Sequence, residues 1–99
     1  MSVLVIGKFP GDTAVFKKML ADRTDELVGI SEQARAAGSI HHTFGVGDGF
    51  VMLVDEWESP QQFEQFFAQP EIQALAVDMG ASGPPEITIV EVAASPANF

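Results

Sequence analysis

The sequence contains no cysteine, and this absence excludes disulfide bonds, thiolate metal ligands and cysteine nucleophiles together. It contains no tyrosine, and its single asparagine is Asn98, close to the last residue. No apolar run approaches the roughly 20 residues that a membrane-spanning helix needs. Residues 1–9 lack the basic start and the long apolar stretch of a signal peptide. We therefore expect a cytoplasmic protein.

Positive charge is scarce, with 5 lysines and arginines against 14 acidic residues and a net charge of -9. An acidic surface repels nucleic-acid phosphates and anionic lipids, so neither nucleic acid nor a membrane is an expected partner. The sequence has no glycine-rich phosphate loop, so no nucleotide cofactor is expected. A chain of 99 residues predicts one domain over residues 1–99. A domain of this size buries a modest share of its surface, which favours a partner subunit.

The first half of the chain predicts a strand and then a helix. Residues 3–9, VLVIGKF, are apolar on both faces and end at Pro10, which is typical of a buried strand. Asp12 is a good N-cap for the helix that follows, and Gly38 is a good terminator. The helix carries an apolar stripe at helical spacing: Phe16, Leu20, Leu27, Ile30 and Ala34.

The second half predicts a hairpin, a helix in two pieces and a last strand. Residues 39–46 and 50–57 flank Gly-Asp-Gly, a strong hairpin signal. Ser59, Pro60 and Gln62 form a capping box for a Phe-rich helix, Pro70 interrupts that helix, and residues 86–93 form a strand.

This order is βαββαβ, which predicts the ferredoxin-like α+β fold: an antiparallel four-stranded sheet with helices on one face. The helix-free face of such a sheet should carry polar residues if it met water. Here the predicted strands are apolar on both sides, and large exposed apolar patches are rare. We therefore expect a homodimer in which the two helix-free faces meet and form a dimeric α+β barrel.

The stretch VDEWESPQQFEQFFAQPEIQAL, residues 54–75, resembles the antibiotic-biosynthesis monooxygenase-like family. Many members have a strand that ends in Trp, an acidic-Ser turn and a Phe-rich helix. The resemblance implies a dimeric α+β barrel. The superfamily includes cofactor-free oxygenases, haem degraders, isomerases and members without known activity. Haem-degrading members have an Asn on the first strand and a His on the second helix. This chain has no Asn on its first strand and carries Ala76 where the His of the second helix would be, so we expect no haem or other cofactor.

Two adjacent histidines, His41 and His42, are candidate catalytic residues on the first hairpin strand. Neighbouring strand residues point to opposite faces, so the pair cannot bind one metal ion, and no metal site is predicted. With a two-residue turn, His42 lies opposite Asp55 and Ile40 opposite Trp57. With a three-residue turn, His41 lies opposite Asp55 instead. In both registers Asp55 would orient an imidazole, which could act as general base on an acidic phenol or enol.

The predicted pocket lies beside this pair. Its expected wall consists of Trp57, Phe44, Met52, Phe63 and Phe66, with Arg23 at the mouth as an anchor for an anionic oxygen. For the aromatic residues ordinary core packing is the alternative, and for Arg23 the alternative is a side chain that extends from the stripe into solvent.

Two functions remain open from the sequence. The first is a cofactor-free oxygenase or isomerase that acts on a small aromatic or enolisable compound, with dioxygen as co-substrate. The second is a non-catalytic dimeric domain that binds a small molecule or serves as a scaffold, in which the His-Asp pair only fixes the strand register.

Overall fold

Four antiparallel strands form one sheet in the order β2-β3-β1-β4, and four helices cover one face of it. The structure is a computed structural model that describes residues 2–99. Its elements are β1 Val3–Pro10, α1 Thr13–Asp22, α2 Thr24–Ala37, β2 Ser39–Val46, β3 Phe50–Trp57, α3 Pro60–Phe67, α4 Pro70–Asp78 and β4 Glu86–Glu91. The predicted ferredoxin-like α+β fold is confirmed.

The first predicted helix is two helices that meet at Arg23. The backbone of Arg23, with φ -123° and ψ 32°, ends α1 and begins α2. Asp12 caps α1 as predicted, because its carboxylate accepts hydrogen bonds from two backbone N–H groups of the first turn. Gly38 ends α2 with φ 124°, a conformation that glycine adopts without steric cost.

The hairpin between β2 and β3 has the register of the two-residue turn. His42 lies opposite Asp55 and Phe44 opposite Leu53, and Gly49 supplies the positive φ of 79° that the turn needs. The pairing shifts between Ser39 and His41, so the strand bulges there.

The bulge corrects one detail of the expected register. Ser39, rather than Ile40, lies opposite Trp57. The backbone N–H of Glu58 donates to the carbonyl of Gly38 at 2.9 Å, which holds the end of the hairpin next to the end of α2.

The capping box of the second half also forms. The Ser59 hydroxyl accepts a hydrogen bond from the Gln62 backbone N–H at 3.2 Å, and Pro60 is the first residue of α3. Pro70 begins the separate helix α4, as the interruption at that residue predicted. The last strand ends at Glu91, two residues before the expected end.

The sheet presents different apolar residues on its two faces. Val3, Val5 and Leu53 are buried on the helix-covered face, where they form the core with side chains of α3 and α4. The helix-free face carries Leu4, Ile6, Met52, Val54 and Val90. Val54 is 44% exposed and Val90 46% exposed, so much of this apolar face has no cover within residues 2–99. Within the same residues, no helix has the length and apolar character to cross a membrane.

Candidate functional site

A buried carboxylate, Asp55, lies at the centre of the candidate site. One of its oxygens is 2.6 Å from Nδ1 of His42, and the other accepts a hydrogen bond from Nε1–H of Trp57 at 3.0 Å. The Asp55 side chain is 6% exposed and the His42 side chain 31%. Each carboxylate oxygen therefore has one partner, as a buried charged group requires.

The two strands of the hairpin position all three residues. Asp55 and Trp57 are two residues apart on β3, so their side chains leave the same face of the sheet. His42 is the direct cross-strand partner of Asp55 on β2. Trp57 is 2% exposed and packs against Phe63 and Phe66 of α3, with ring centroids 5.7 Å and 5.6 Å away. The buried indole fixes the orientation of the carboxylate, which in turn fixes the imidazole.

This arrangement decides which nitrogen of His42 is free to act. The Asp55 carboxylate can only accept a hydrogen bond, so the neutral imidazole carries its proton on Nδ1 and donates it to Asp55. Nε2 then bears a lone pair and forms no hydrogen bond within residues 2–99. A ring nitrogen held in this way can accept a proton from a hydroxyl group placed against it.

A cavity of about 120 Å³ lies between the sheet and the helices, and His42, Asp55 and Trp57 all line it. Apolar side chains form most of the remaining wall: Phe16, Phe44, Leu53, Phe63, Phe66 and Ile72. The half-exposed His42 ring packs edge-on against Phe44 at 4.5 Å between centroids. The cavity thus places one polar constellation in apolar surroundings, the usual character of a small-molecule site.

The structure brings six of the nine predicted site residues together around this cavity: His42, Asp55, Trp57, Phe44, Phe63 and Phe66. Phe63 and Phe66 also belong to the hydrophobic core, so the packing and pocket interpretations both describe them.

Two predicted site residues lie on the other face of the sheet. His41 pairs with Glu56, and Met52 pairs with Gly45 and Lys8. Strand alternation turns both side chains away from the helices and the cavity. The structure therefore places neither His41 nor Met52 at the cavity, so the expectation of His41 as a base there and of Met52 as part of the wall is corrected.

Arg23 also lies away from the cavity. Its guanidinium donates to Glu26 at 2.6 Å and 2.7 Å and to Asp78 at 3.2 Å. The hydrogen bonds to Glu26, followed by the one to Asp78, raise the pKa of Arg23, and Arg23 lowers the pKa of Glu26. These two carboxylates hold the side chain at the junction between α1 and α2, so the expected anchor at the pocket mouth is corrected.

The sequence interpretation missed the contribution of the first two helices to the wall. Phe16 of α1 and Leu27, Ser31 and Ala34 of α2 line the cavity. Three of these residues belong to the apolar stripe that was recognised as a core face. The sequence feature that could have indicated a cavity here is Ser31, a polar residue beside that stripe.

Metal ligands do not cluster in the described chain: within residues 2–99, no three His, Asp or Glu side chains stand close enough to hold an ion.

Comparison with solved structures finds the same fold in several proteins, among them structures described as antibiotic biosynthesis monooxygenases. No protein-family model matches the sequence, and no curated protein matches it. A monooxygenase from the gene ActVA-Orf6 of Streptomyces coelicolor, in complex with Nanaomycin D, is similar with a TM-score of 0.70 and 22% identity over 99% of this chain and 93% of that one. A mutant of SnoaB, a cofactor-independent oxygenase from Streptomyces nogalater, is similar with a TM-score of 0.64 and 19% identity over 98% of both chains.

A third similar structure, Rv0793 from Mycobacterium tuberculosis, has a TM-score of 0.65 and 15% identity over 98% of this chain and 100% of that one. Identities this low establish a common fold. The predicted resemblance to antibiotic-biosynthesis monooxygenase-like structures is confirmed at that level.

Proposed function

We propose that the protein is a cofactor-independent monooxygenase that acts on a small aromatic or enolisable compound. The observation that carries the proposal is the free Nε2 of His42, which Asp55 orients at the wall of an apolar cavity. The similarity of the fold to structures described as a monooxygenase and as a cofactor-independent oxygenase supports the same class of reaction.

The chemistry assigned to the site begins with a proton transfer. Nε2 of His42 accepts the proton of a phenol or enol hydroxyl, and the Asp55 carboxylate stabilises the imidazolium that forms. The resulting anion is electron-rich, and one of its ring carbons transfers electrons to dioxygen and forms a carbon–oxygen bond. The imidazolium of His42 returns its proton to the peroxide, and the hydroperoxide then loses water: its O–O bond breaks, the hydrogen atom on the same carbon leaves as a proton, and a carbonyl group remains. One oxygen atom enters the product, the other leaves as water, and the substrate supplies all the electrons.

The surrounding residues support this chemistry by excluding water. The Trp57 indole and the phenylalanine rings hold the substrate in an environment of low polarity, where the charge interactions of His42 and Asp55 are stronger than in water. Dioxygen is apolar and partitions readily into such surroundings.

The same proposal includes a homodimer. Leu4, Ile6 and Val54 lie together on the helix-free face, where they form an apolar patch that monomeric proteins rarely leave in water. Packing this face against its copy buries the patch through a self-complementary contact.

A non-catalytic binding or scaffold domain is the second candidate. The observation that favours it is the complete hydrogen bonding of Asp55, because such satisfied pairs also occur in purely structural networks.

Oxygen incorporation distinguishes the two candidates. Purified protein is incubated with single-ring phenols, naphthols and anthrones under heavy-isotope dioxygen, and products are analysed by mass spectrometry. We expect one labelled oxygen atom in the product, one dioxygen consumed per substrate oxidised, and no accumulation of peroxide. Oxygen uptake across the panel no faster than without protein would favour the binding domain.

A further inference from the structure

We propose that the cavity selects a neutral phenol about the size of one aromatic ring and discriminates against phenols that carry a carboxylate. This inference rests on the proposed function, because it names the substrate class for the same site. Three properties of the cavity carry it: its volume, the arrangement of its rings and the charges along its wall.

The volume limits the ligand to about one ring. The cavity measures about 120 Å³. An engineered apolar cavity of about 150 Å³ holds benzene, which gives the scale for one ring. The cavity is partly open to solvent, so a fused tricyclic compound would either leave part of its ring system in water or displace helices that pack against the sheet through buried side chains such as Phe16 and Ile72. Displacing such packing costs stability.

The rings of the wall favour an aromatic ligand. Phe44 lies edge-on to Phe16 at 5.1 Å and to His42 at 4.5 Å between centroids. Trp57 and Phe63 form another edge-on pair at 5.7 Å on the same cavity wall. Rings arranged in this way present both edges and faces, so a bound ring can take the edge-to-face and offset positions that aromatic pairs prefer.

The charges of the wall disfavour an anion. The acidic side chains that line the cavity are Asp12 and Asp55, and the described lining residues include no lysine or arginine. Arg23 is held outside the cavity by two carboxylates. A ligand carboxylate would therefore lose its hydration without gaining a cationic partner, apart from His42, which Asp55 already engages.

Binding of four ligands tests this selectivity on the unmodified protein. The ligands are p-cresol, para-hydroxybenzamide, para-hydroxybenzoate and anthrone, measured by calorimetry without turnover. The benzamide and the benzoate have nearly the same size and differ in charge. We expect p-cresol and the benzamide to bind, and the benzoate to bind about tenfold more weakly or worse than the benzamide, because an unpaired buried charge costs more than 1.4 kcal/mol. Anthrone should bind more weakly than p-cresol.

A charge introduced into the wall should reverse the preference. Ser31 is half-buried and lines the cavity, so Ser31→Lys places a cation where a ligand carboxylate can meet it. We expect this variant to recover most of the lost affinity for para-hydroxybenzoate. Gln33→Lys adds the same charge on the exposed side of the same helix, and it should leave the preference unchanged.

The inference is overturned if para-hydroxybenzoate binds as tightly as the benzamide, if anthrone binds more tightly than p-cresol, or if p-cresol does not bind. These outcomes separate it from the oxygenase proposal. Selective binding without oxygenation of any phenol contradicts the oxygenase and leaves the pocket selectivity intact. Oxygenation of anionic or tricyclic phenols in preference to p-cresol-sized ones contradicts the selectivity and leaves the oxygenase intact.

Discussion

Replacing His42 with glutamine is expected to lower turnover of an oxygenated phenol by about a hundredfold or more, because a positioned general base contributes roughly 10² to 10⁴ to a rate. Glutamine can still donate a hydrogen bond to Asp55, so the buried carboxylate keeps its second partner. His42→Ala should lose activity to a similar degree and also lose stability, because Asp55 would keep only the bond from Trp57. Initial rates of dioxygen uptake measure both variants.

The neighbouring histidine provides the matched control. His41 lies on the opposite face of the sheet, so His41→Ala should retain the activity of the unmodified protein within a few-fold. Loss of activity in His41→Ala with full activity in His42→Gln would contradict the assignment of the base. If His41→Ala and His42→Gln were both as active as the unmodified protein, neither histidine would be the base.

Replacing Val54 with aspartate is expected to convert a dimer into a folded monomer. Val54 lies in the middle of a central strand on the helix-free face and is 44% exposed. In a face-to-face dimer this position is covered, and two uncompensated carboxylates there would cost several kcal/mol. Sedimentation equilibrium of the two proteins at micromolar concentration measures the change.

An exposed valine on the helical side serves as the control for the dimer. Val77 of α4 is 68% exposed, and Val77→Asp adds the same charge away from the proposed interface. This variant should remain dimeric. A well-folded monomer of the unmodified protein, or dissociation of the Val77→Asp variant alone, would contradict the proposed interface.

Local chemistry explains why most of the fold could be predicted from the sequence. The Asp48-Gly49 turn requires positive φ at a defined place, and this limits the hairpin to two registers, of which the structure has the one that sets His42 opposite Asp55. Ser59 and Pro60 likewise determine where α3 begins. Each of these signals lies within a few residues of the structure it specifies.

The parts that could not be predicted depend on contacts between distant segments. At the break, Arg23 bonds to nearby Glu26 and also to Asp78, 55 residues further along the chain, and the second contact cannot be read from the local sequence. The cavity requires the helices to stand off from the sheet, whereas the apolar stripe predicts only that a helix face is covered. Met52 is a different case, because strand alternation alone assigns it to the face opposite Asp55.

The imidazole nitrogen resonances of His42, recorded with and without p-cresol, test most directly whether Asp55 holds this ring with Nε2 free for a hydroxyl. The sequence has 2 histidines, so spectra of His41→Ala assign both rings. At a pH where the ring is neutral, we expect His42 to be protonated on Nδ1 and its Nε2 resonance to shift on addition of p-cresol, while that of His41 stays unchanged. A His42 ring protonated on Nε2, or one that p-cresol leaves unchanged, would contradict the account.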